Sequence, residues 1–322
     1  MKTHLLLAAK VAVSLALLVY LFSITDLPAL KARVRTGDTF LLVFAMALYG
    51  LIIAISIWRW KLLLHTQGYR ATMTHLSASY LVATFFNNFL PSNIGGDVIR
   101  VRDSSRLTGS TTTSVAVVVI DRVLGFGALY VLAVGAYVSG GPAVRALAGA
   151  LPALIALGVV FGALAYVFFR PGTARRAVAA TGMTSMPWAR SKFEVVQNAV
   201  HVYRAEMGAV WTALLGSIVL QALVVYYYYN IARSLRIPLP LSACFLMVPL
   251  CSLVQALPIS FNGWGVRESV FILYFAQIGL PRESAMAFSL VGAGLMVLLS
   301  LSGAVVWTSR GEITAPAGAA PH

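Results

Sequence analysis

The sequence is short of charge, of cysteine and of histidine, and each shortage closes off a class of function. Only 11% of the 322 residues are charged, about half of what soluble globular domains carry, which argues against an ordinary soluble fold. Two cysteines are too few for a secreted disulfide scaffold. Cys244 and Cys251 share one apolar segment with no histidine or acid at ligand spacing. They read as small packing residues, and no metal site is expected. The five histidines (His4, His65, His75, His201 and His322) are scattered outside the apolar runs. There is no G-x-S-x-G, P-loop or dinucleotide fingerprint and no nucleophile–base set. No catalytic residue, cofactor or enzymatic activity is expected.

What the sequence has is apolar length. Hydrophobic residues make up 59%, and mean hydropathy is +0.85. Six runs reach the roughly 20 residues with which a helix crosses a bilayer: Leu5–Ile24, Thr39–Trp58, Ser114–Val138, Ala146–Phe169, Ala209–Ala232 and Ser284–Thr308. The first follows Lys2 but lacks a small-residue cleavage site, so it reads as an uncleaved anchor. Two further stretches are shorter and broken. Leu76–Pro91 contains Asn87-Asn88; Leu241–Pro258 contains Pro249 and is followed by Val266–Leu280. Such runs predict broken or re-entrant helices rather than plain spans. Full crossing would make eight spans, and the accessibility of cysteines placed at Ser92 and Asn262 separates the two arrangements. The expected fold is an all-α integral membrane bundle.

The net charge of +14 takes its meaning from that setting. In a soluble domain it would point to nucleic acid; here basic loops set orientation and meet anionic headgroups, and nucleic acid is not an expected partner. With both termini cytoplasmic, 14 Lys and Arg fall inside and eight outside, which predicts a multi-pass protein of the inner or plasma membrane. Lys31, Arg33 and Arg35, on the outside, run against the bias. Lys192–Met207 places Phe193, Val196, Val200, Tyr203 and Met207 on one face, predicting an amphipathic cytoplasmic helix within a linker over 170–206. Residues 311–322, rich in Ala and Pro, predict a disordered tail. Tyr226–Tyr229 reads as an aromatic belt, and Gly158-x-x-x-Gly162 as a helix-packing motif.

Self-comparison shows a repeat. Leu90-Pro91 recurs as Leu257-Pro258, Gly95-Gly96 as Gly263, Gly109 as Gly279, and Gly125 and Gly127 as Gly292 and Gly294, at offsets of 167 to 170. Each half, about 39–138 and 209–308, reads as a broken apolar helix, Leu-Pro, a small polar patch, glycines, a charged helix start and a long span. Three crossings separate the Leu-Pro elements, so the second copy enters from the opposite face. Inverted repeats with broken helices are a transporter architecture whose substrate site lies near the midplane. The whole of 1–310 is then one domain of six full spans plus two broken or re-entrant helix pairs.

Chemistry concentrates at the breaks. Pro91, Gly95 and Gly96 free backbone N–H groups, and Asn87, Asn88 and Asn93 add donors that lipid tails would not tolerate. A freed helix N-terminus there attracts an anion such as phosphate; Asp97 either takes part or caps the following helix. In the partner stretch Pro258, Gly263 and Gly265 break the chain, Asn262 is polar, and Arg267-Glu268 opens a helix. Arg267 can grip a phosphate bidentately. Asp121 and Arg122 lie inside a span, where charge marks a functional position. Adjacent helix residues project about 100° apart, so Arg122 is expected to reach Asp97 or Glu268, and Asp121 to reach Arg100 or Arg267. A purely structural ion-pair network is the competing expectation.

Three of these elements are similar to a known family: Phe85–Arg100, Asp121-Arg122-Val123-Leu124-Gly125, and Gly-x-Gly-Val-Arg-Glu at 263–268. They resemble the transmembrane, flippase-like domain of lysylphosphatidylglycerol synthases, in order from about Thr39 to Trp307. Asn262 departs from the pattern, since family members often carry glycine there. The resemblance implies a membrane bundle that moves or binds lipids. Fifteen residues follow Trp307 (308–322), so a stand-alone member without the aminoacyl-transfer domain is expected.

The function expected is lipid translocation. Arg100, Arg122 and Arg267, with the asparagines, would hold the headgroup of an anionic or zwitterionic phospholipid or a polyprenyl-phosphate at the midplane between the repeats. Asp97, Asp121 and Glu268 would balance charge or couple protons. The alternatives are a membrane subunit serving a separate cytoplasmic aminoacyl- or glycosyl-transferase, and a lipid-binding protein that does not transport.

Overall fold

A computed structural model describes residues 15–16, 18–89, 95–170, 198–257, 260 and 262–309, and every regular element among them is helical. The protein is an all-α, polytopic membrane protein. Leu27–Arg35 forms α1, Thr39–Thr66 α2, Met73–Phe89 α3, Gly95–Thr108 α4, Thr111–Ser139 α5, Pro142–Arg145 α6 and Ala150–Phe169 α7. Met207–Ser234 forms α8, Leu241–Gln255 α9, Val266–Gln277 α10 and Arg282–Ser309 α11. Among the described residues five helices are long and apolar enough to cross a membrane: α2, α5, α7, α8 and α11. A 28-residue helix such as α2 is roughly 42 Å long, more than the hydrocarbon core requires. Most of the Leu5–Ile24 run lies outside the described residues, as do Pro91, Asn93, Pro258, residues 171–197 and the tail; residues 18–23 are helical.

Local chemistry sets the helix starts. Asp38 Oδ1 accepts from the N–H groups of Phe40 (2.9 Å) and Leu41 (3.3 Å), capping α2. Ser110 Oγ accepts from Thr113 N at 3.2 Å to cap α5. Asp26, with Pro28 in the first turn, caps α1 through Ala29 N at 3.0 Å. Each satisfies a donor that has no partner within the helix.

The order long, short, short, long occurs twice, as α2–α5 and α8–α11. The opening spans α2 and α8 pack along their length and run antiparallel. At one end Asp38 N donates to Ser234 O (3.1 Å) and Ser234 Oγ to Asp38 O (2.9 Å). At the other, Tyr203 OH donates to Leu63 O and Gln67 Nε2 to Ala199 O, both at 3.0 Å. Homologous first helices thus point in opposite directions. The short helices fold back as hairpins: Gly96 N donates to Asn87 Oδ1 at 2.7 Å between α4 and α3, and Cys251 Sγ to Arg267 O at 3.9 Å between α9 and α10. The halves also exchange partners. The first arm of each hairpin packs on the closing span of the other half, α3 on α11 and α9 on α5.

Three expectations are corrected. The helix that begins at Thr39 continues past Trp58 to Thr66, because Trp60, Leu63 and Leu64 extend its buried face; Arg59 and Lys61 are therefore helical, not loop cations. Tyr227 and Tyr228 are buried and Tyr227 donates to Gly292 O, so the tyrosine run is core packing with only Tyr226 exposed among them at more than a third. The helix over 198–205 ends before α8 begins at Met207, so Met207 belongs to the span, while Tyr203, on the expected apolar face, is wholly buried against α2.

Gly303 of α11 lies so close to α3 that a Cβ would overlap Leu81 O, whereas Gly294 of the same helix has open space around it. Gly303→Ala should destabilise the protein by roughly 1–3 kcal/mol through overpacking, and Gly294→Ala should stay within about 0.5 kcal/mol of wild type. Thermal unfolding in detergent checks the contrast.

Candidate functional site

The chemistry gathers where α2, α3, α4 and α5 meet. Asp121, inside α5, is 3% exposed and uses both carboxylate oxygens: Oδ1 accepts from Arg59 Nε at 2.6 Å and Oδ2 from Arg100 Nη2 at 2.9 Å. Arg59 also donates through Nη1 to Ser217 Oγ of α8 at 2.7 Å. Asp97, in the first turn of α4, pairs with Arg122 and lies 3.5 Å from Arg100 Nη1. The Arg100 guanidinium sits 4.6 Å from the Trp60 ring centre and 5.3 Å from that of Tyr80. Three cations and two anions in contact leave one positive charge in surroundings of low polarity, where charge interactions are strong.

The hairpin geometry makes this possible. Gly96 can sit against α3 only because it has no Cβ; one would overlap Ala83 O and the Asn87 side chain. That approach carries Asp97 and Arg100 to α5. Gly125, a turn beyond Asp121, faces the Arg59 guanidinium, and a Cβ there would make only ordinary contact with Nη1 at 3.7 Å.

A cavity of about 210 Å³ opens at the cluster, lined by Arg59, Arg100, Arg122, Asp97 and Asp121 together with Tyr80, Ala83, Thr84, Asn87, Gly125, Phe126 and Gln221. Arg122 is the most open of the cations, its side chain 33% exposed against 6% for Arg100. Arg100 Nε is buried without a hydrogen-bond partner among the described residues. That is an unsatisfied charged donor, an arrangement that costs about 1–3 kcal/mol or more when left unfilled.

A profile of the lysylphosphatidylglycerol synthase TM region matches residues 7–303. The chain belongs to that family. It is accordingly a multi-pass membrane protein of a lipid-related family. No individually curated protein matches the chain.

The structure brings together Arg100, Arg122, Asn87, Asp97 and Asp121, and resolves the expected pairings: Arg122 with Asp97, Asp121 with Arg100. It does not bring in the residues of the second hairpin. Arg267 and Glu268 bond to each other, Nη2 to Oε1 at 2.6 Å, and neither they nor Asn262 lines the cavity. The single site shared by three arginines is thus corrected to a cavity of the first half and a separate ion pair in the second. Asn88 Nδ2 donates to Thr84 O of its own helix at 3.3 Å and also stands outside the lining. Gly95 and Gly96 open α4, the helix that follows the expected break after α3. Asn262, Gly263 and Gly265 have positive φ of 48°, 76° and 83°, the conformation that makes the second turn and that favours glycine. Among the described residues no group of His, Cys, Asp and Glu could hold a metal ion.

Arg59 is the member that sequence reasoning missed. The signal was the periodicity Trp60, Leu63, Leu64 beyond it, which keeps the helix and its buried face going. Arg59→Met or Asp121→Ala should each destabilise the protein by about 3–5 kcal/mol, since each strands a buried charge. The double variant should lose less than the sum of the two, by about 0.5–3 kcal/mol. Unfolding measurements in detergent over the four-member cycle check this, and strict additivity would contradict the pairing.

Proposed function

We propose that the protein translocates lipids, receiving the phosphate of an anionic or zwitterionic headgroup in the cavity bounded by α2, α3, α4 and α5. The observation that carries this reading is the imbalance of the cavity: three guanidinium groups against two carboxylates, with a buried Arg100 donor left over. A phosphodiester supplies one negative charge and acceptor oxygens, correcting both deficits together. Arg122, the most exposed cation, meets the headgroup first, and Asp97 yields its place on that guanidinium as the phosphate enters.

Asp121 acts as a clamp. Both of its oxygens are engaged by guanidinium donors, and we read Asp97 and Asp121 as charge-balancing. The acyl chains stay in the bilayer. A phospholipid or a polyprenyl-phosphate meets the same requirement, and no catalytic step is involved. The termini face the cytoplasm of a cell-membrane protein, in keeping with the positive-inside bias.

The test is flipping of headgroup-labelled phospholipid in proteoliposomes, read by dithionite quenching. Wild type should flip. Arg122→Gln should lose at least tenfold in rate, equivalent to about 1.4 kcal/mol, while its Tm stays within about 2 °C of wild type, because Asp97 keeps Arg100 as a partner. Arg145→Gln, on an exposed arginine of α6, should leave the rate unchanged. Folded wild type that moves neither anionic, zwitterionic nor polyprenyl-phosphate lipid would transfer the site to the subunit of a lipid-modifying enzyme.

A further inference from the structure

The second hairpin holds a buried cluster that the proposed function leaves unused. Arg267 is 7% exposed and Glu268 wholly buried. Glu268 Oε1 accepts from Arg267 Nη2 at 2.6 Å, from Arg267 Nε at 3.0 Å and from Ser289 Oγ at 2.8 Å. Its Oε2 accepts from Gly265 N, at the start of α10, at 2.7 Å. The Trp264 ring lies 4.8 Å from the guanidinium. A guanidinium, a hydroxyl and a helix-start N–H converging on two oxygens make the donor set that binds oxyanions. Here the oxyanion is the chain's own side chain.

The internal repeat identifies the counterpart of this cluster. Arg100 corresponds to Arg267 at an offset of 167, and Trp60 to Tyr228, Arg59 to Tyr227 and Asp121 to Ser289 at 168. The contacts correspond as well. Arg100 stacks on Trp60 and reaches Asp121 of the closing span; Arg267 adjoins Tyr228 and reaches Ser289 of the closing span. Arg59 lies beside Gly125, and Tyr227 donates to Gly292 O. The acid has changed place. In the first half it stands on the span as Asp121, Val101 follows Arg100, and a cavity remains. In the second, Glu268 follows Arg267, the span offers Ser289, and the carboxylate fills the space.

We propose that Arg267, Ser289 and the Gly265 N–H form a second oxyanion station, suited to a phosphate or carboxylate group, which Glu268 occupies as a tethered stand-in. Its capacity to bind does not rest on lipid translocation. Its use in transport does: a headgroup that reaches it must displace Glu268 and so uncap Gly265, loosening the start of α10.

Glu268→Ala vacates the station, and the probe is sodium formate, with dibutyl phosphate as the larger oxyanion. If the purified full-length variant folds in oxyanion-free buffer, formate near a hundred times its Kd should raise its Tm by roughly 5 °C. Wild type should not respond, its station being full, and Arg267→Gln combined with Glu268→Ala should not respond either. If Glu268→Ala folds only poorly, extraction and purification in formate should recover folded protein where chloride does not. A folded variant indifferent to both probes, or an unfolded one that formate fails to recover, overturns the proposal. A response to dibutyl phosphate as well as formate assigns the station to phosphate-sized groups; formate alone restricts it to carboxylates. Because the readout is Tm, a protein that moves no lipid still decides the matter.

Discussion

A carboxylate buried inside a membrane span has to be answered, and the first half of the protein is arranged around answering Asp121. Two guanidinium groups do so from different helices, Arg59 from α2 and Arg100 from α4. The consequences are geometric. Arg100 can arrive only if α4 folds back along α3 and lies flush on it at Gly96. Arg59 can arrive only if α2 runs beyond the apolar stretch that anchors it in the bilayer. Once both are seated, Asp97 is left to divide itself between Arg100 and Arg122, and the cluster ends with one more cation than anion beside open space. That surplus is the basis of the functional reading.

The two halves solve the same problem differently. Inverted repeats begin with the same helices facing opposite ways, as the antiparallel packing of α2 on α8 shows, and the exchanged hairpins tie the halves into one bundle. Symmetry of backbone has not brought symmetry of charge. Moving the acid from the span to the residue after the arginine converts a cavity into a closed ion pair with matched charge. Among the described residues, the receptive pocket lies on the side of the first hairpin.

Much of this was legible in the sequence. The five described spans, the two interrupted helices and the Leu-Pro and glycine landmarks came from hydropathy and self-comparison, because membrane depth tolerates so few alternatives. Asp121 stood out for the same reason, and its partnership with Arg100 and that of Arg122 with Asp97 were among the pairings expected. Arg59 was hidden because a hydropathy window ends where charge begins, although the helix does not. Arg267 was misplaced because sequence order brings both arginines to a helix start and cannot say which anion is nearer; Glu268, its neighbour, was. The tyrosine run looked like a belt because its place near a span end says nothing of which face turns inward.

The central claim is that the cavity beside Arg100 and Arg122 receives a lipid phosphate. Cryo-electron microscopy of the protein in nanodiscs of anionic phospholipid tests it most directly. The account predicts headgroup density within hydrogen-bonding distance of Arg100 Nε and the Arg122 guanidinium, continuous with acyl chains in the bilayer. A well-resolved cavity holding only water under saturating lipid, with Arg122 still on Asp97, would contradict it.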